Sequence, residues 1–271
     1  MNRSAAVIGW GKSGQGAAGA LLTRGWEVSA FAARATQTLS FDDVAGVPVH
    51  VEEEANALAA AVLDARPDLV VVSPGIPAHH PVFAACAQAG IDLWGEVELA
   101  WRLQEEGPHA GRPWLTVTGT NGKTTTVGML GEILRASGVK AEEVGNIGTP
   151  ITRAIDSDAE VFAVELSSFQ LHTALTVSPL ASICLNVDAD HLDDASVEPF
   201  LIGAISAVDP EDYPERVTDS FGECYYEGGD DDNTVEAVSA VAFARGVDAR
   251  ILDRFNSALV KALAAEQERD V

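Results

Sequence analysis

Trp114-Leu115-Thr116-Val117-Thr118-Gly119-Thr120-Asn121-Gly122-Lys123-Thr124-Thr125-Thr126 is the stretch that decides the fold. Five residues of strand character enter a glycine turn, and the turn enters a helical stretch over 127–136. Such a turn aims backbone N–H groups at phosphate oxygens, Lys123 adds a mobile cation, and the Thr124 hydroxyl is a ligand type suited to Mg²⁺. The loop departs from G-x-x-x-x-G-K-[ST], because Val117 stands five residues before Gly122 and the loop is shorter. A purely structural glycine loop with an exposed lysine is the alternative reading.

The same grammar occurs at the N-terminus. Ala5-Ala6-Val7-Ile8-Gly9 is an apolar run ending in glycine, followed by Trp10-Gly11-Lys12-Ser13-Gly14-Gln15-Gly16 and a helix over 17–24. Gly9, Gly11 and Gly14 fit G-x-G-x-x-G, which lets a backbone approach a phosphate at a helix N-terminus or simply lets helix pack closely on strand. A nicotinamide enzyme also wants an acid at the end of the second strand for the ribose hydroxyls. Here that strand, 27–33, ends in Phe31-Ala32-Ala33, so a dehydrogenase is disfavoured.

Between the two turns the pattern predicts helices over 55–64 and 81–89 and strands over 69–73 and 91–94, the first strand stopping at Pro74-Gly75. Alternating strands and helices predict a parallel sheet with helices on both faces, and ligands then gather at the carboxyl ends of the strands. Residues 96–104 read as an amphipathic linker helix and 105–112 as a loop, which places a boundary between units 1–97 and 98–271. Downstream, an apolar strand over 161–166 carries one acid, Glu165, and leads into Ser167-Ser168-Phe169-Gln170. A strand over 180–187 leads to Asp188-Ala189-Asp190-His191-Leu192-Asp193. Glu165 is either a strand-edge acid or a metal ligand, His191 either structural or a ligand, and Asn146 in Gly145-Asn146-Ile147-Gly148 could be a simple turn residue.

Composition limits the partners. The chain has 271 residues, 17 Lys and Arg against 41 Asp and Glu, and a formal charge of −24. Residues 1–186 carry a net −9 and residues 187–271 a net −15. Such a surface repels nucleic acid and anionic membranes, so any phosphate must be held locally. Cys86, Cys184 and Cys224 show no metal-binding or disulfide spacing, and no uninterrupted apolar run is long enough to span a bilayer. The expectation is a soluble, cytoplasmic, monomeric protein with no nucleic-acid or membrane partner.

Six segments in one order, GWGKSG (9–14), SPGIPAHHPVFAACAQAGIDLWGEVELAW (73–101), TVTGTNGKTTT (116–126), GNIG (145–148), ELSSFQL (165–171) and LNVDADHLD (185–193), resemble the Mur ligases of peptidoglycan synthesis. ELSSFQL and SPGIP resemble the branch that adds D-glutamate. The resemblance implies an α/β fold: a Rossmann-like parallel-sheet N-terminal domain holding a UDP-linked substrate, then a P-loop α/β central domain binding ATP, incomplete at its C-terminal end. It implies that the carboxylate of UDP-N-acetylmuramoyl-L-alanine takes the γ-phosphoryl group of ATP and that the amine of D-glutamate attacks the acyl phosphate. Carried over by position, ATP would meet Gly119, Thr120, Asn121, Gly122, Lys123, Thr124, Thr125 and Asn233. The catalytic set would be Lys123, Glu165 and His191, with Mg²⁺ on Thr124, Glu165 and His191. Gly11, Lys12, Ser13, Ser73, Pro74, Gly75, Asn146, Ser167 and Gln170 would line the UDP-sugar path.

The chain also departs from that pattern. The family's metal-binding carbamate lysine falls where Leu201-Ile202-Gly203-Ala204-Ile205-Ser206 stands, and no lysine lies between Lys140 and Lys261. The family acid at the uracil end falls near Ala32, and the family's third domain has no counterpart. Residues 194–232 read as an irregular acidic connection and 233–265 as helical. Two functions follow as expectations: the ligase, and a shortened relative that binds ATP or UDP-sugar without ligating.

Overall fold

The computed structural model describes residues 3–34, 39–146, 148–185 and 243–244. Two five-stranded sheets organise them. The first is built from β1 (Ser4–Ile8), β2 (Glu27–Ala32), β3 (Val49–Val51), β4 (Leu69–Val72) and β5 (Asp92–Gly95), in the order β3-β2-β1-β4-β5 and parallel throughout. The helices α1 (Lys12–Thr23), α2 (Ala55–Asp64) and α3 (Pro81–Ala89) connect these strands, and α4 (Glu96–Glu105) follows β5. Strand order reverses at β1, so the turns after β1 and β4 flank one crevice, where doubly wound sheets place ligands.

The second sheet contains β6 (Trp114–Thr118), β7 (Ala141–Gly145), β8 (Val161–Glu165), β9 (Ala181–Cys184) and β10 (Phe243–Ala244), in the order β10-β9-β6-β8-β7. Strands β6 to β9 are parallel, and α5 (Lys123–Ala136), α6 (Ile151–Ala154) and α7 (Ser168–His172) join them. One expectation needs correction. Within the stretch read as helical, 233–265, Phe243–Ala244 pairs antiparallel with Ser182 and Ala181. The outer edge of β9 offers unpaired backbone groups, and a ladder that satisfies them outweighs the weak helical preference of an alanine-rich segment. The rest of 194–265 lies outside the described residues.

Alternation along the strands decides which core each side chain enters. Ala6, Ile8, Val70 and Val72 face α2 and α3 with Leu58, Val62 and Val82. Val117 and Ala163 face α5 with Val127 and Leu130. The opposite faces of both sheets converge on a single core: Val7 and Val71 from the first, Phe162 and Val164 from the second, with Leu21 of α1, Leu99 and Leu103 of α4, and Ile151 of α6. The boundary read at 97/98 therefore falls inside the first turn of α4, whose apolar side is buried between the two sheets. Ion pairs cross the same seam, Arg24 with Asp156 at 2.8 Å and Arg153 with Asp43 at 2.6 Å.

Candidate functional site

Each sheet ends in a glycine turn that opens a helix. In the first, Gly9 has φ +88° and its N–H donates to the Phe31 carbonyl at 2.8 Å, closing the turn against β2. Gly14, in the first turn of α1, lies so close beneath that loop that a Cβ would occupy the place of the Gly9 carbonyl oxygen and stand 2.9 Å from Ser73 Oγ. Ser73 itself donates to the Gly9 carbonyl at 2.8 Å, tying the turns after β1 and β4 together. Pro74 and Gly75 continue the second of these turns. Gly11 is the N-cap and Lys12 the first residue of α1, with Ser13 next; a Cβ on Gly11 would meet open space.

The second turn is organised differently. Gly122, the N-cap of α5, sits at φ +84° and Gly119 at φ +131°. Lys123 Nζ folds back to donate to the Gly119 carbonyl at 2.6 Å and the Thr120 carbonyl at 2.9 Å. Thr124 Oγ1 donates to Glu165 Oε2 at 2.9 Å, and Asn146 Nδ2 donates to Glu165 Oε1 at 3.0 Å. Glu165 is 1% exposed at the carboxyl end of β8, between β6 and β7, so two neutral donors divide its oxygens between them. The structure thus brings together three of the predicted residues, Thr124, Glu165 and Asn146.

Two predicted residues are engaged with each other. Ser167 Oγ accepts the Gln170 N–H at 3.3 Å, and Gln170 Oε1 accepts the Ser167 N–H at 2.9 Å, the reciprocal cap that starts α7. Lys12 reaches from the first unit to the second, its Nζ donating to the Gly148 carbonyl in the turn that carries Asn146. A run of contacts therefore joins the two glycine turns: Lys12 to Gly148, then Asn146 to Glu165 to Thr124. His191 and Asn233, the acids Asp190 and Asp193, and residues 201–206 lie outside the described residues.

Thr124 and Glu165 offer hard oxygen donors, the kind Mg²⁺ selects. That ion commonly takes one or two protein oxygens and completes its octahedron with phosphate and water, so this pair fits it. Among the described residues no group of three or more His, Cys, Asp and Glu side chains could hold a metal alone. Sequence reasoning missed the two buried acids of α4, which hold segments that flank the site. Glu96 is 2% exposed and its Oε1 accepts both the N–H and the hydroxyl of Thr152, each at 2.9 Å. Two residues on, Glu98 accepts the N–H groups of Leu175 and Thr176 at 2.7 and 2.8 Å and the Thr176 hydroxyl at 2.6 Å. Burial pushes the Glu96 carboxyl above its ordinary range. Burial acts the same way on Glu98, but its bonds from Thr176 and Arg102 outweigh it and hold that group below the ordinary range. The signal available in sequence was two acids on one turn of a helix, which reads as a solvated face.

Residues 3–95 match the family described as "Mur ligase MurD-like, N-terminal domain", and residues 117–197 match "Mur ligase middle domain". The UDP-N-acetylmuramoylalanine–D-glutamate ligase of Frankia casuarinae is 48% identical over 198 residues, 69% of this chain and 39% of that protein. That of Thermobifida fusca is 44% identical over 207 residues, 73% of this chain and 42% of its own length. That of Mycolicibacterium smegmatis is 55% identical over 126 residues, 46% of this chain and 26% of its own length. The chain spans at most about two fifths of the length of these relatives. No helix among the described residues is long and apolar enough to cross a membrane.

Proposed function

The chain belongs to the Mur ligase family through its N-terminal and middle domains, and from that premise we propose that the protein it represents joins D-glutamate to UDP-N-acetylmuramoyl-L-alanine with ATP and Mg²⁺, in the cytoplasm and as a monomer. The observation that carries this reading is the run of contacts from Lys12 through Gly148, Asn146 and Glu165 to Thr124. The reaction needs a carboxylate held by one unit to meet a γ-phosphoryl group held by the other, and this run lies between the two glycine turns.

The backbone N–H groups of residues 119–124 and the N-terminus of α5 bind the phosphates of ATP. Lys123 exchanges the carbonyls of Gly119 and Thr120 for phosphate oxygens, a swap that moves one charge a short way and leaves the loop intact. Thr124 and Glu165 would hold Mg²⁺, which supplies charge neutralisation on the transferring group. His191 would contribute to a second such site and Asn233 would meet adenine. The turns at Gly11–Ser13 and Ser73–Gly75, together with Asn146, Ser167 and Gln170, line the path of the UDP-sugar. The substrate carboxylate oxygen attacks the γ-phosphorus, ADP leaves, and the D-glutamate amine then displaces phosphate from the acyl carbon to form the amide. With no protein nucleophile involved, catalysis rests on positioning and charge.

Because the chain spans part of its relatives, nucleotide binding is the step this stretch can be asked to perform alone. Calorimetry with ATP and Mg²⁺ is expected to show binding that Lys123→Ala weakens by about 1.5–3 kcal/mol, the range for a hydrogen bond to a charged group. Equal affinity in both forms would remove Lys123 from the site. Phosphate release that depends on both UDP-N-acetylmuramoyl-L-alanine and D-glutamate would establish the substrates.

A further inference from the structure

Asn146 and Glu165 face each other at the end of β7, where the described residues on either side of the bend, Gly145 and Asn146, then Gly148 and Thr149, are held in place. One end is secured by β7: Gly145 N–H donates to the Thr149 carbonyl at 3.1 Å and Asn146 N–H to the Glu165 carbonyl at 3.0 Å. The other end runs through Pro150 into α6, which is four residues long. A helix of one turn does not hold itself, since nucleation costs more than a single turn of hydrogen bonds returns. It must be held from outside. Arg112 does this at its C-terminal end, donating to the carbonyls of Ile155 and Ser157 at 3.2 and 2.6 Å. Glu96 does it at the N-terminal end, where one carboxyl oxygen accepts two donors from Thr152.

Glu96 is an unusual choice for a merely structural anchor. Its side chain is buried and its second oxygen, Oε2, is sealed from solvent with no hydrogen-bond partner among the described residues. Leaving a polar atom so placed costs free energy that an apolar residue at the same position would not incur. What the position obtains in return is a fixed acceptor for the N–H and hydroxyl of Thr152, six residues from Asn146.

We propose that Glu96 is a positioning residue for the metal-bearing carboxylate: by fixing Thr152 and the start of α6 it holds Thr149 against Gly145 so that Asn146 orients Glu165, leaving Glu165 Oε2 directed at Thr124. This rests on the ATP and Mg²⁺ reading above. Glu96 touches neither nucleotide nor metal; it acts through Thr152, Thr149 and Asn146.

Two readouts on the same variants test it. In the ligand-free chain, the side-chain amide resonances of Asn146 report whether its bond to Glu165 persists. By calorimetry, the gain in ATP affinity on adding Mg²⁺ isolates the metal's contribution from phosphate binding by the loop. Glu96→Ala is expected to shift the Asn146 amide signals toward those of a free amide and to cut the Mg²⁺-dependent gain about tenfold, the lower end for loss of a residue that orients a metal ligand. Affinity for ATP without metal is expected to hold. Glu96→Gln, which keeps a carbonyl oxygen for Thr152, is expected to match the wild type in both. Lower stability of Glu96→Ala with an unchanged Asn146 signal and an unchanged Mg²⁺ gain overturns the proposal. Should Glu96→Ala not fold, Thr152→Val removes one of the two donors, and no change in either readout with that variant overturns it equally. A wild type that binds no ATP with Mg²⁺ overturns the underlying reading instead, and the Asn146 resonances then decide the positioning on their own.

Discussion

The turn after β1 and the turn after β6 both lead from a parallel strand through glycines into a helix bearing a lysine at its first position. They are held by different means. In the first, contact is added to a left-handed glycine: Gly9 takes φ +88°, Gly14 has no room for a side chain beneath the Gly9 carbonyl, and Ser73 bonds the same carbonyl. In the second, dihedral angle is the constraint: Gly119 and Gly122 take positive φ, and the nearest atom to a Cβ on Gly122 would be Leu185 Cδ1 at 3.4 Å, an ordinary contact. The lysines differ likewise, Lys12 bonding across to the other unit and Lys123 bonding back to its own loop. The first turn is thereby tied to a second strand end, whereas the second is tied within its own loop.

Gly14→Ala should give the largest effect, because backbone rather than a movable side chain stands in the way. A loss of about 3 kcal/mol in urea unfolding is expected, against a change within about 0.5 kcal/mol for Gly11→Ala, whose Cβ would meet open space. Similar losses in the two variants would break the comparison. Next is the pair of lysines. Lys12→Ala, which leaves the loop over 119–124 untouched, is expected to keep the affinity for ATP measured without metal in the calorimeter, whereas Lys123→Ala lowers it; an equal loss in both would mean that the two turns share one phosphate site. Gly122→Ala should cost about 1–2 kcal/mol of stability, the penalty of placing a side chain in left-handed backbone. A cost near zero would show that φ is not what holds the second turn.

The last test concerns the buried carboxyls of α4, which hold the segments on either side of Glu165. A carboxyl raised in the folded state stays protonated while its unfolded counterpart, near 4.5, has ionised. The native state then binds more protons, and stability falls as pH rises above that value. Glu98 is lowered, so its contribution is present above about 4.5 and is lost as pH falls through its folded value. Urea midpoints followed upward from pH 4 are therefore expected to favour Glu96→Gln over the wild type increasingly as pH rises. Parallel pH profiles would contradict a raised Glu96 carboxyl.

How much of this was legible depends on whether the controlling interaction was local. Both strand–glycine–helix units could be read, because the apolar run, the φ-tolerant residue and the helical spacing lie within about twenty residues of each other. So could α2 and α3, whose ends coincide with the expected ranges 55–64 and 81–89. Strand β7 could not: Ala141-Glu142-Glu143-Val144-Gly145 lies at a sheet edge, where Glu143 pairs with Arg135 and Glu142 with the Ser157 hydroxyl. Strand β3 has three residues, all exposed, and α6 and α7 are too short to show a period. In the candidate site, the nearness of Thr124 to Glu165 could be read from their positions beside a glycine turn and a strand end. Glu96 could not, because its meaning is set by Thr152, fifty-six residues away.

Helix α4 also bears on how pieces of such a protein can be exchanged. Its opening turn answers to Thr152 through Glu96 and to Leu175 and Thr176 through Glu98, while Leu99 and Leu103 fill the core that both sheets share. A chimera spliced between residues 97 and 98 would keep Glu98 with its own donors at 175 and 176 but would set Glu96 against the other parent's Thr152. A splice beyond residue 105 would keep the helix whole but set it against foreign threonines. The two halves are co-inherited parts rather than interchangeable modules, and a working hybrid would need to carry α4, Thr152 and the 175–176 turn from the same parent.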